Sequence, residues 1–438
     1  MSKISLFWFR RDLRLDDNRG LFEALSASSQ VQPIFIFDTK ILKKLKNKQD
    51  RRVQFIHETL KDLKKNLNEK GGDIWTFHGE PLAVFKKLVK EHKIEAVFTN
   101  EDYEPYARQR DTEVREFLTD HGIAFHSFKD QVIFAKDEVV SNQGQPYTVY
   151  TPYKKKWLST LTSASTQSFS SGKILKNLFQ TSRAQKLPDL KDLGFQASPL
   201  EFSAKKITTE FLKNYAQKRD FPAVANSTSH LSLHLRFGTL SPRHLVSSSR
   251  LHSPVWLSEL IWREFFMQIL WNFPRVEQES FRPIYDKISW RTSEKDFLLW
   301  CQGKTGYPIV DAGIRELNAT GYMHNRVRMI TASFLCKHLL LHWSWGEKYF
   351  AEKLNDYDLA ANNGNWQWVA GSGCDASPYF RVFNPEIQQK KFDPDENYIR
   401  HWIPEYGTKK YPEPMIEHRF AVDRALREYT KVLKGKRS

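Results

Sequence analysis

Long apolar segments, cysteines and a leader sequence are scarce or missing in this chain of 438 residues. No apolar run reaches the roughly 18–20 residues that a membrane-spanning helix needs. The N-terminus lacks the apolar segment and the small-residue cleavage site of a signal peptide. The three cysteines, Cys301, Cys336 and Cys374, argue against a disulfide framework or a zinc site. We therefore expect a protein of the reducing cytoplasm, with no membrane segment and no metal.

The dinucleotide-binding fingerprint G-x-G-x-x-G is also missing after the first predicted strand. From residue 1 to about 130, short apolar runs alternate with amphipathic stretches such as 52–70. This alternation predicts a Rossmann-like α/β domain, a parallel sheet with helices on both faces. The predicted strands are 4–9, 31–37, 73–78, 94–100 and 123–128.

Negative charge is in short supply. Against 67 Lys and Arg residues stand 51 Asp and Glu residues, which gives a formal net charge of +16. Such a surplus favours a polyanionic partner, most often a nucleic acid. The alternative is a solvated basic surface, and the lysines of 40–52 and 431–438 fit that interpretation equally well.

The remaining chain divides into two further regions, because 438 residues exceed the size at which one core stops growing. Residues 131–197 include the Ser- and Thr-rich segment 158–173, which is typical of a connection across a surface. Residues 198–438 are predicted to be an all-α domain. Long stretches of helical period, 254–271 and 322–343, support that prediction.

The most unusual stretch of the helical half is DLAANNGNWQWVAGSG, residues 358–373. In a helix, Asp358, Asn362 and Trp366 lie on one face, while Trp368 points about 200° away from Trp366. One interpretation is a helix that lines a flat polar ligand, with amides at its edge and an indole near its plane. The other is a buried helix end whose amides are satisfied internally.

Three hydroxyl side chains, Thr228, Ser229 and Ser232, stand just before another stretch with helical character. Hydroxyls and backbone N–H groups at a helix N-terminus suit a phosphate group. The same residue types also cap helices, and capping is their commoner use. The run therefore predicts either a phosphate site or an ordinary helix start.

A third cluster lies in HNRVRM, residues 324–329. Asn325 and Arg328 are three residues apart and share one helical face, while Arg326 points elsewhere. Arg328 could pair with a carboxylate such as Asp356. That pairing could belong to a ligand site or be a plain salt bridge.

Together these motifs resemble the photolyase/cryptochrome family, and within it the class I cyclobutane pyrimidine dimer photolyases of bacteria. The motifs that carry the resemblance are 7–18, 303–335, 358–368 and 383–394. The resemblance implies an α/β antenna domain (1–130), an interdomain connection (131–197) and a helical domain (198–438) that binds reduced FAD non-covalently. It also implies light-driven splitting of the dimer by an electron from FAD, in a dinucleotide flipped out of the duplex.

The resemblance also implies roles for individual residues. The flavin N5 is faced by Asn362. The other FAD contacts that it implies are Tyr215, Thr228, Ser229, Leu231, Ser232, Trp256, Asn325, Arg328, Asp356 and Asp358. An electron-transfer chain is implied for Trp366, Trp343 and Trp290. The walls of the substrate pocket are implied to be Glu259, Trp262, Met329 and Trp368, and the contacts to the DNA backbone Arg219, Arg263, Arg326 and Arg381.

Two matters stay open at this stage. Glu104 resembles a folate-contacting glutamate of the family, but Glu279-Ser280 replaces the Cys-Lys pair that accompanies folate in some members. The antenna chromophore could therefore be a folate, a deazaflavin or a second flavin, or could be absent. The alternative function is a cryptochrome-type blue-light receptor without repair. The expected partner is UV-damaged DNA, bound by a bacterial monomer that associates with the nucleoid.

Overall fold

The structure is a computed structural model that describes residues 3–181, 184–199 and 201–434. Its described residues form two compact units. The first unit comprises Met1–Val139, Trp157–Lys206 and His230–Leu251, and the second comprises Val140–Lys156, Ile207–Ser229 and His252–Ser438. Among the described helices, none combines the length and the apolar character that crossing a membrane requires.

The helices and strands follow one another in two series. The series up to residue 128 is β1 (Ile4–Phe9), α1 (Arg19–Ala27), β2 (Val31–Asp38), α2 (Thr39–Leu42), α3 (Arg51–Asn68), β3 (Trp75–Gly79), α4 (Pro81–Glu91), β4 (Ile94–Asn100), α5 (Pro105–Asp120) and β5 (Ala124–Phe128). The helices that follow are α6 (Tyr150–Thr160), α7 (Thr209–Lys218), α8 (Ser232–Phe237), α9 (Pro242–His252), α10 (Pro254–Asn272), α11 (Glu294–Cys301), α12 (Pro308–Thr320), α13 (Asn325–Ser333), α14 (Trp343–Lys353), α15 (Leu359–Ala370), α16 (Pro385–Phe392), α17 (Asn397–Trp402) and α18 (His418–Lys434).

The first unit is built on a parallel five-stranded sheet with the strand order β3-β2-β1-β4-β5. Side chains of β1 alternate between the two faces: Phe7 and Phe9 enter the apolar cluster that contains α1 and α3 residues, and Leu6 and Trp8 enter the cluster that contains α4 and α5 residues. A strand that is apolar on both faces is expected in a parallel sheet covered by helices on each side. The predicted α/β domain is confirmed, with strand ends within two residues of the prediction.

The second unit is helical, as predicted, but the predicted helix over 322–343 is interrupted. Helix α13 ends at Ser333, a single π-helical turn follows over Phe334–His338, and α14 begins only at Trp343. Leu340 lies in the left-handed region with φ of 52°. A leucine rarely adopts that conformation, so the helix cannot continue through it.

The Ser- and Thr-rich segment is placed differently from the predicted interdomain connection. Residues 157–206 belong to the first unit. Leu175 and Leu178 enter its apolar core, and the buried hydroxyl of Ser171 donates to the carbonyl oxygen of Leu15 at 2.7 Å. Residues 230–251, expected in the helical domain, also belong to the first unit. The composition of the segment did not indicate that it joins the core, because its apolar residues are widely spaced among polar ones.

Candidate functional site

A cavity in the second unit is lined by residues of α13, α14 and α15 and by the loop before α15. Seven of its lining residues are predicted site residues: Asn325, Arg328, Met329, Asp356, Asp358, Asn362 and Trp366. The others include Ala332, Phe350, Leu354, Tyr357, Ala361, Asn365 and Val369. The cavity therefore has an apolar side and a polar side, which suits a flat heterocycle with a polar edge.

Arg328 is the fixed cation of the polar side. Its guanidinium makes two hydrogen bonds to the Asp356 carboxylate, at 2.9 and 3.3 Å, and its Nε donates to the carbonyl oxygen of Met323 at 2.7 Å. Burial opposes the positive charge, but Asp356, Tyr322 and Glu316 together more than offset this effect, and the pKa of Arg328 is raised. The pair is the salt bridge that the sequence allowed, and it also lines the cavity.

Asn362 lies on the first turn of α15, and its amide is held by Glu347 of α14, a residue that the sequence analysis did not single out. The Nδ2 group donates to the carbonyl oxygen of Glu347 at 3.0 Å and to its Oε1 at 2.9 Å. Glu347 is buried, and burial raises the pKa of its carboxyl group even though the hydrogen bond from Asn362 acts in the opposite direction. The orientation of the Asn362 amide toward the cavity is therefore fixed by α14.

Asp358 lines the same cavity as Asn362 and Trp366, but it precedes the helix as the N-cap of α15 and does not lie within it. Its backbone is extended and its Oδ1 accepts from the N–H of Ala361 at 3.1 Å. Asn363, by contrast, follows the structural interpretation: it is buried and donates to the carbonyl oxygen of Val276 at 2.9 Å. The stretch thus combines both interpretations, with Asn362 at the cavity and Asn363 in internal packing.

The three tryptophans of the predicted electron chain are linked through intermediate residues. A Cβ on Gly346 would lie 2.1 Å from the Trp366 ring, so α14 packs directly on this indole one turn after Trp343. His342 lies between Trp343 and Trp290, with ring centroids 5.3 Å from each. Trp366 and Trp343 are buried, while Trp290 is partly exposed.

The indole N–H groups of Trp290 and Trp343 are buried and have no hydrogen-bond partner among the described residues.

Trp300 is a buried tryptophan that the sequence interpretation did not single out. It also touches Trp366, with ring centroids 6.2 Å apart. Unlike the other two indoles, its N–H donates to the carbonyl oxygen of Thr331 at 3.2 Å. It provides a matched control for the predicted chain.

A charged cluster joins four of the predicted DNA and substrate residues. Arg219 contacts Glu259 at 2.5 Å, and Arg326 contacts Asp220 at 2.7 Å. Arg219 also lies 3.8 Å from Asp220, and the Arg326 Nη1 donates to the Met329 sulfur at 3.8 Å. Asp220, which the sequence interpretation missed, is therefore the residue that brings the two arginines together.

Glu259 is only one-third exposed, and desolvation raises the pKa of its carboxyl group although Arg219 opposes the shift. A carboxyl with a raised pKa is more readily protonated and can then donate a hydrogen bond to a carbonyl group. Met329 belongs both to this cluster and to the lining of the cavity. The cluster and the cavity therefore adjoin at α13.

Helix α10 carries Glu259 and three further predicted residues, Trp256, Trp262 and Arg263. Trp256 is buried in its first turn, and Glu259 and Arg263 follow on the same face at helical spacing. Trp262 is partly exposed, and its indole is stacked on Tyr150 with ring centroids 3.5 Å apart.

Tyr215, at the end of α7, lies under the Arg219 guanidinium at 5.3 Å. Neither Tyr215 nor Trp256 is among the residues that line the cavity.

The predicted phosphate run is split between the two units. The hydroxyl of Thr228 is hydrogen-bonded to that of Tyr322 at 2.7 Å, and the Tyr322 ring lies beneath the Arg328 guanidinium. Ser229 also belongs to the second unit, whereas Leu231 and Ser232 belong to the first. The helix that follows, α8, has only six residues, and the residue before it, Leu231, makes no side-chain cap.

Two remaining predicted residues lie at or after the end of α15. Trp368 packs on the apolar core of the second unit, and its carbonyl oxygen accepts from the N–H of Ser377 at 3.2 Å. Arg381 is exposed, with its guanidinium 5.7 Å from the Phe383 ring. Neither residue is among those that line the cavity.

The chain thus consists of an α/β unit and a helical unit, and the helical unit contains a cavity that suits a flat cofactor such as a flavin. Residues 5–170 match the family model of DNA photolyase, and residues 256–409 match that of the FAD binding domain of DNA photolyase. A deoxyribodipyrimidine photo-lyase from Synechococcus is 37% identical, with 94% of this chain and 93% of the relative covered. The chain belongs to the DNA photolyase family.

Solved structures agree with this assignment. A bacterial class III photolyase from Agrobacterium tumefaciens matches with a TM-score of 0.85 and 33% identity, over 99% of this chain and 98% of the other. An archaeal photolyase from Sulfolobus tokodaii with two FAD molecules matches with a TM-score of 0.82 and 34% identity, over 98% and 100%. Membership of class I stays a prediction, because one of these similar structures is described as class III.

Proposed function

We propose that this protein is a light-dependent DNA repair enzyme, a deoxyribodipyrimidine photo-lyase that uses FAD to split cyclobutane pyrimidine dimers. The observation that carries the proposal is the cavity in which Arg328, Asp356 and Asn362 form a polar edge directly beside Trp366. Membership of the family indicates which reaction this arrangement supports, because the relatives are named for that reaction.

The donor set of the cavity fits the isoalloxazine ring of FAD. That ring has carbonyl oxygens and an imide N–H along one edge, which require donors and acceptors together. Arg328 and the amide of Asn325 supply donors, and Asp356 supplies an acceptor. The Asn362 Nδ2 group is occupied by Glu347, so Asn362 offers its amide oxygen as a further acceptor. Tyr215, Thr228, Ser229, Leu231, Ser232, Trp256 and Asp358 are proposed to hold the remainder of the cofactor. The bound FAD supplies the light-excited electron, and the protein positions it and excludes competing reactions.

The charged cluster next to the cavity supports the role proposed for the substrate pocket. A dimer flipped from the duplex exposes carbonyl and imide groups, and Glu259 can hydrogen-bond with either, depending on its protonation. Trp262 and Trp368 are proposed to stack on the flipped bases, with about 1–3 kcal/mol per stack. Met329 completes the proposed pocket because it lies between the cluster and the cavity.

Repair of a defined substrate tests the proposal. The purified protein is incubated with an oligonucleotide that contains one cyclobutane dimer, in blue light and in the dark, and dimer loss is followed by chromatography. Loss of the dimer in light alone is expected. An oligonucleotide without the lesion shows whether binding is selective. A protein that binds flavin and absorbs light but leaves the dimer intact would favour the cryptochrome alternative.

Two of the four proposed phosphate contacts, Arg326 and Arg381, are expected to differ in strength. Arg381 is exposed, whereas Arg326 already pairs with Asp220 and lies 4.4 Å over the Phe392 ring. Arg381→Ala should therefore reduce the slope of log affinity against log salt by about one, and Arg326→Ala by less. Both should weaken binding to all DNA sequences alike.

The matched control for this prediction is Arg400→Ala. Arg400 is exposed in the same unit but pairs with Glu396 along its own helix. The salt slope of this variant should equal that of the unaltered protein. If Arg326→Ala and Arg381→Ala also leave the slope unchanged, neither residue contacts the DNA backbone. Arg219 and Arg263 can be tested in the same series.

A light-harvesting chromophore in the first unit is also proposed, and its identity stays open among folate, deazaflavin and a second flavin. The two FAD molecules of the archaeal relative support a second chromophore in this family. Glu104 does not favour any one of these chromophores, because its carboxylate already accepts hydrogen bonds from Arg11 at 3.0 Å and from Arg236 at 2.7 Å. Extraction of the chromophores and mass spectrometry would identify any that is present.

We further propose that the enzyme acts as a monomer in the cytoplasm and associates with the nucleoid when it binds damaged DNA. The net charge of +16 supports the association with a polyanion. Sedimentation of the protein with and without DNA tests the monomer, and a fluorescent fusion tests the location.

A further inference from the structure

Trp262 contacts two buried aromatic rings. On one side Tyr150 stacks on it with ring centroids 3.5 Å apart and an interplanar angle of 7°. The ring of Phe266 lies 5.5 Å away at 28°. Tyr150 is 7% exposed and Phe266 is 3% exposed, while Trp262 itself is partly exposed. Trp262 is therefore the most accessible of the three rings, and the two buried rings support it.

Both supporting rings are fixed to other elements of the second unit. Phe266 packs on the backbone of α15, where a Cβ on Gly364 would lie 2.1 Å from its ring. The Tyr150 hydroxyl is hydrogen-bonded to the Ser258 hydroxyl at 2.6 Å and donates to the Ser258 carbonyl oxygen at 2.9 Å. The hydroxyl contact ties Tyr150 to α10, one turn before Trp262.

The backbone of Tyr150 is tied to a third element. Its N–H donates to the Asp375 carboxylate at 3.0 Å, and Asp375 lies in the loop after α15 with φ of 44°. The same loop carries Arg381. A strained left-handed residue is maintained only where its surroundings fix it. Tyr150 thus connects the stacked indole with the loop of the proposed phosphate contact.

We propose that Tyr150 is a positioning residue of the substrate pocket, which fixes the plane of Trp262 for stacking on a flipped base. The proposal rests on the proposed function, because it uses the role of Trp262 there. Holding the indole in place before binding removes the entropy cost of ordering it at binding. The benefit should therefore appear in the affinity for the lesion and not in the affinity for undamaged DNA, which depends on phosphate contacts.

The test compares variants of Tyr150 with a matched control on the same helix. Tyr153 is also buried and, like Tyr150, contacts Phe265, at 5.3 Å, but the ring stacked on Trp262 is that of Tyr150. The holoenzymes Tyr150→Ala, Tyr150→Leu, Tyr150→Phe and Tyr153→Ala are each titrated with a dimer-containing oligonucleotide and with its undamaged counterpart. Flavin content and light-driven flavin reduction are recorded for each, because a merely structural role would lower these together with binding.

We expect Tyr150→Ala and Tyr150→Leu to weaken binding of the lesion about three- to tenfold, with binding of undamaged DNA and flavin content unchanged. Tyr150→Phe, which keeps the ring, should lose less. Tyr153→Ala should preserve the ratio of the two affinities even if its melting temperature falls. If Tyr150→Ala does not fold, Tyr150→Leu decides the question.

The proposal is overturned if the affinity ratio in Tyr150→Leu equals that of the unaltered protein, or if the lesion binds more tightly. Tighter binding would mean that Tyr150 covers the surface on which the base stacks. If instead the unaltered protein does not distinguish the lesion from undamaged DNA, the proposed function fails, and that outcome is visible before any variant is made.

Discussion

Replacing Trp290 with phenylalanine should slow the light-driven reduction of bound oxidised FAD by an external reductant about tenfold or more, equivalent to about 1.4 kcal/mol in the barrier. Trp290 is the partly exposed member of the series, and a phenyl ring is much harder to oxidise than an indole. With FAD reduced chemically beforehand, repair should proceed normally, because the electron donor is then already in place. Absorption spectroscopy during illumination, followed by a repair assay, measures both effects.

Trp343 and Trp300 make this prediction specific. Trp343→Phe should block the same reduction, because Trp343 lies between His342 and the turn that packs on Trp366. Trp300→Phe should leave it nearly unchanged, although Trp300 also touches Trp366. The reverse pattern would place the route through Trp300. Loss of repair in chemically reduced Trp290→Phe would show that Trp290 has another role.

The strands of the first unit could be predicted because each is a short apolar run with turn residues on both sides. Their pairing into a parallel sheet followed from the alternation with helices. The limits of the two units could not be predicted in the same way. Among the described residues of 157–206, the buried apolar side chains are few and widely spaced: Trp157, Leu161, Leu175, Leu178, Leu193 and Phe195. A Ser-rich composition is as compatible with packing against a core as with a linker.

The site residues were predicted by resemblance, and their partners were not predicted at all. Glu347 lies in WSWGEKYFAEK, where it reads as one of several charged residues of an amphipathic helix. Its burial results from the close approach of α14 to α15 at Gly346, which is a tertiary contact. Asp220 and Tyr150 were not predicted for the same reason, because each contacts a residue more than 100 positions away in the sequence.

Glu347 changes what is expected when Asn362 is replaced by aspartate. The Asn362 amide donates to Glu347, so the new carboxyl group would face a buried carboxyl group whose pKa is already raised by burial. Two carboxyl groups at hydrogen-bond distance cannot both ionise easily, and the pair is expected to retain a proton near neutral pH. The replacement therefore places a proton donor at the cavity, where the original amide cannot readily release one.

We therefore expect Asn362→Asp to accumulate less fully reduced flavin under illumination, with repair falling in proportion. The absorption spectrum during illumination and the repair rate are measured across pH. The double variant Asn362→Asp with Glu347→Gln tests the cause. Without the neighbouring carboxylate, the introduced group ionises more easily, so the spectral change should weaken at neutral pH and return only at lower pH.

Asn363→Asp is the matched control, because Asn363 is a buried amide on the same helix that donates to Val276 and not to the cavity wall. It should lose about 1–3 kcal/mol of stability, since a carboxylate cannot make that hydrogen bond, while the flavin spectrum stays as in the unaltered protein. If Asn362→Asp behaves in the same way, with a lower melting temperature and an unaltered spectrum, Asn362 only satisfies the start of α15. The photolyase function would then stand, and the control of flavin protonation would have to be sought elsewhere along the cavity.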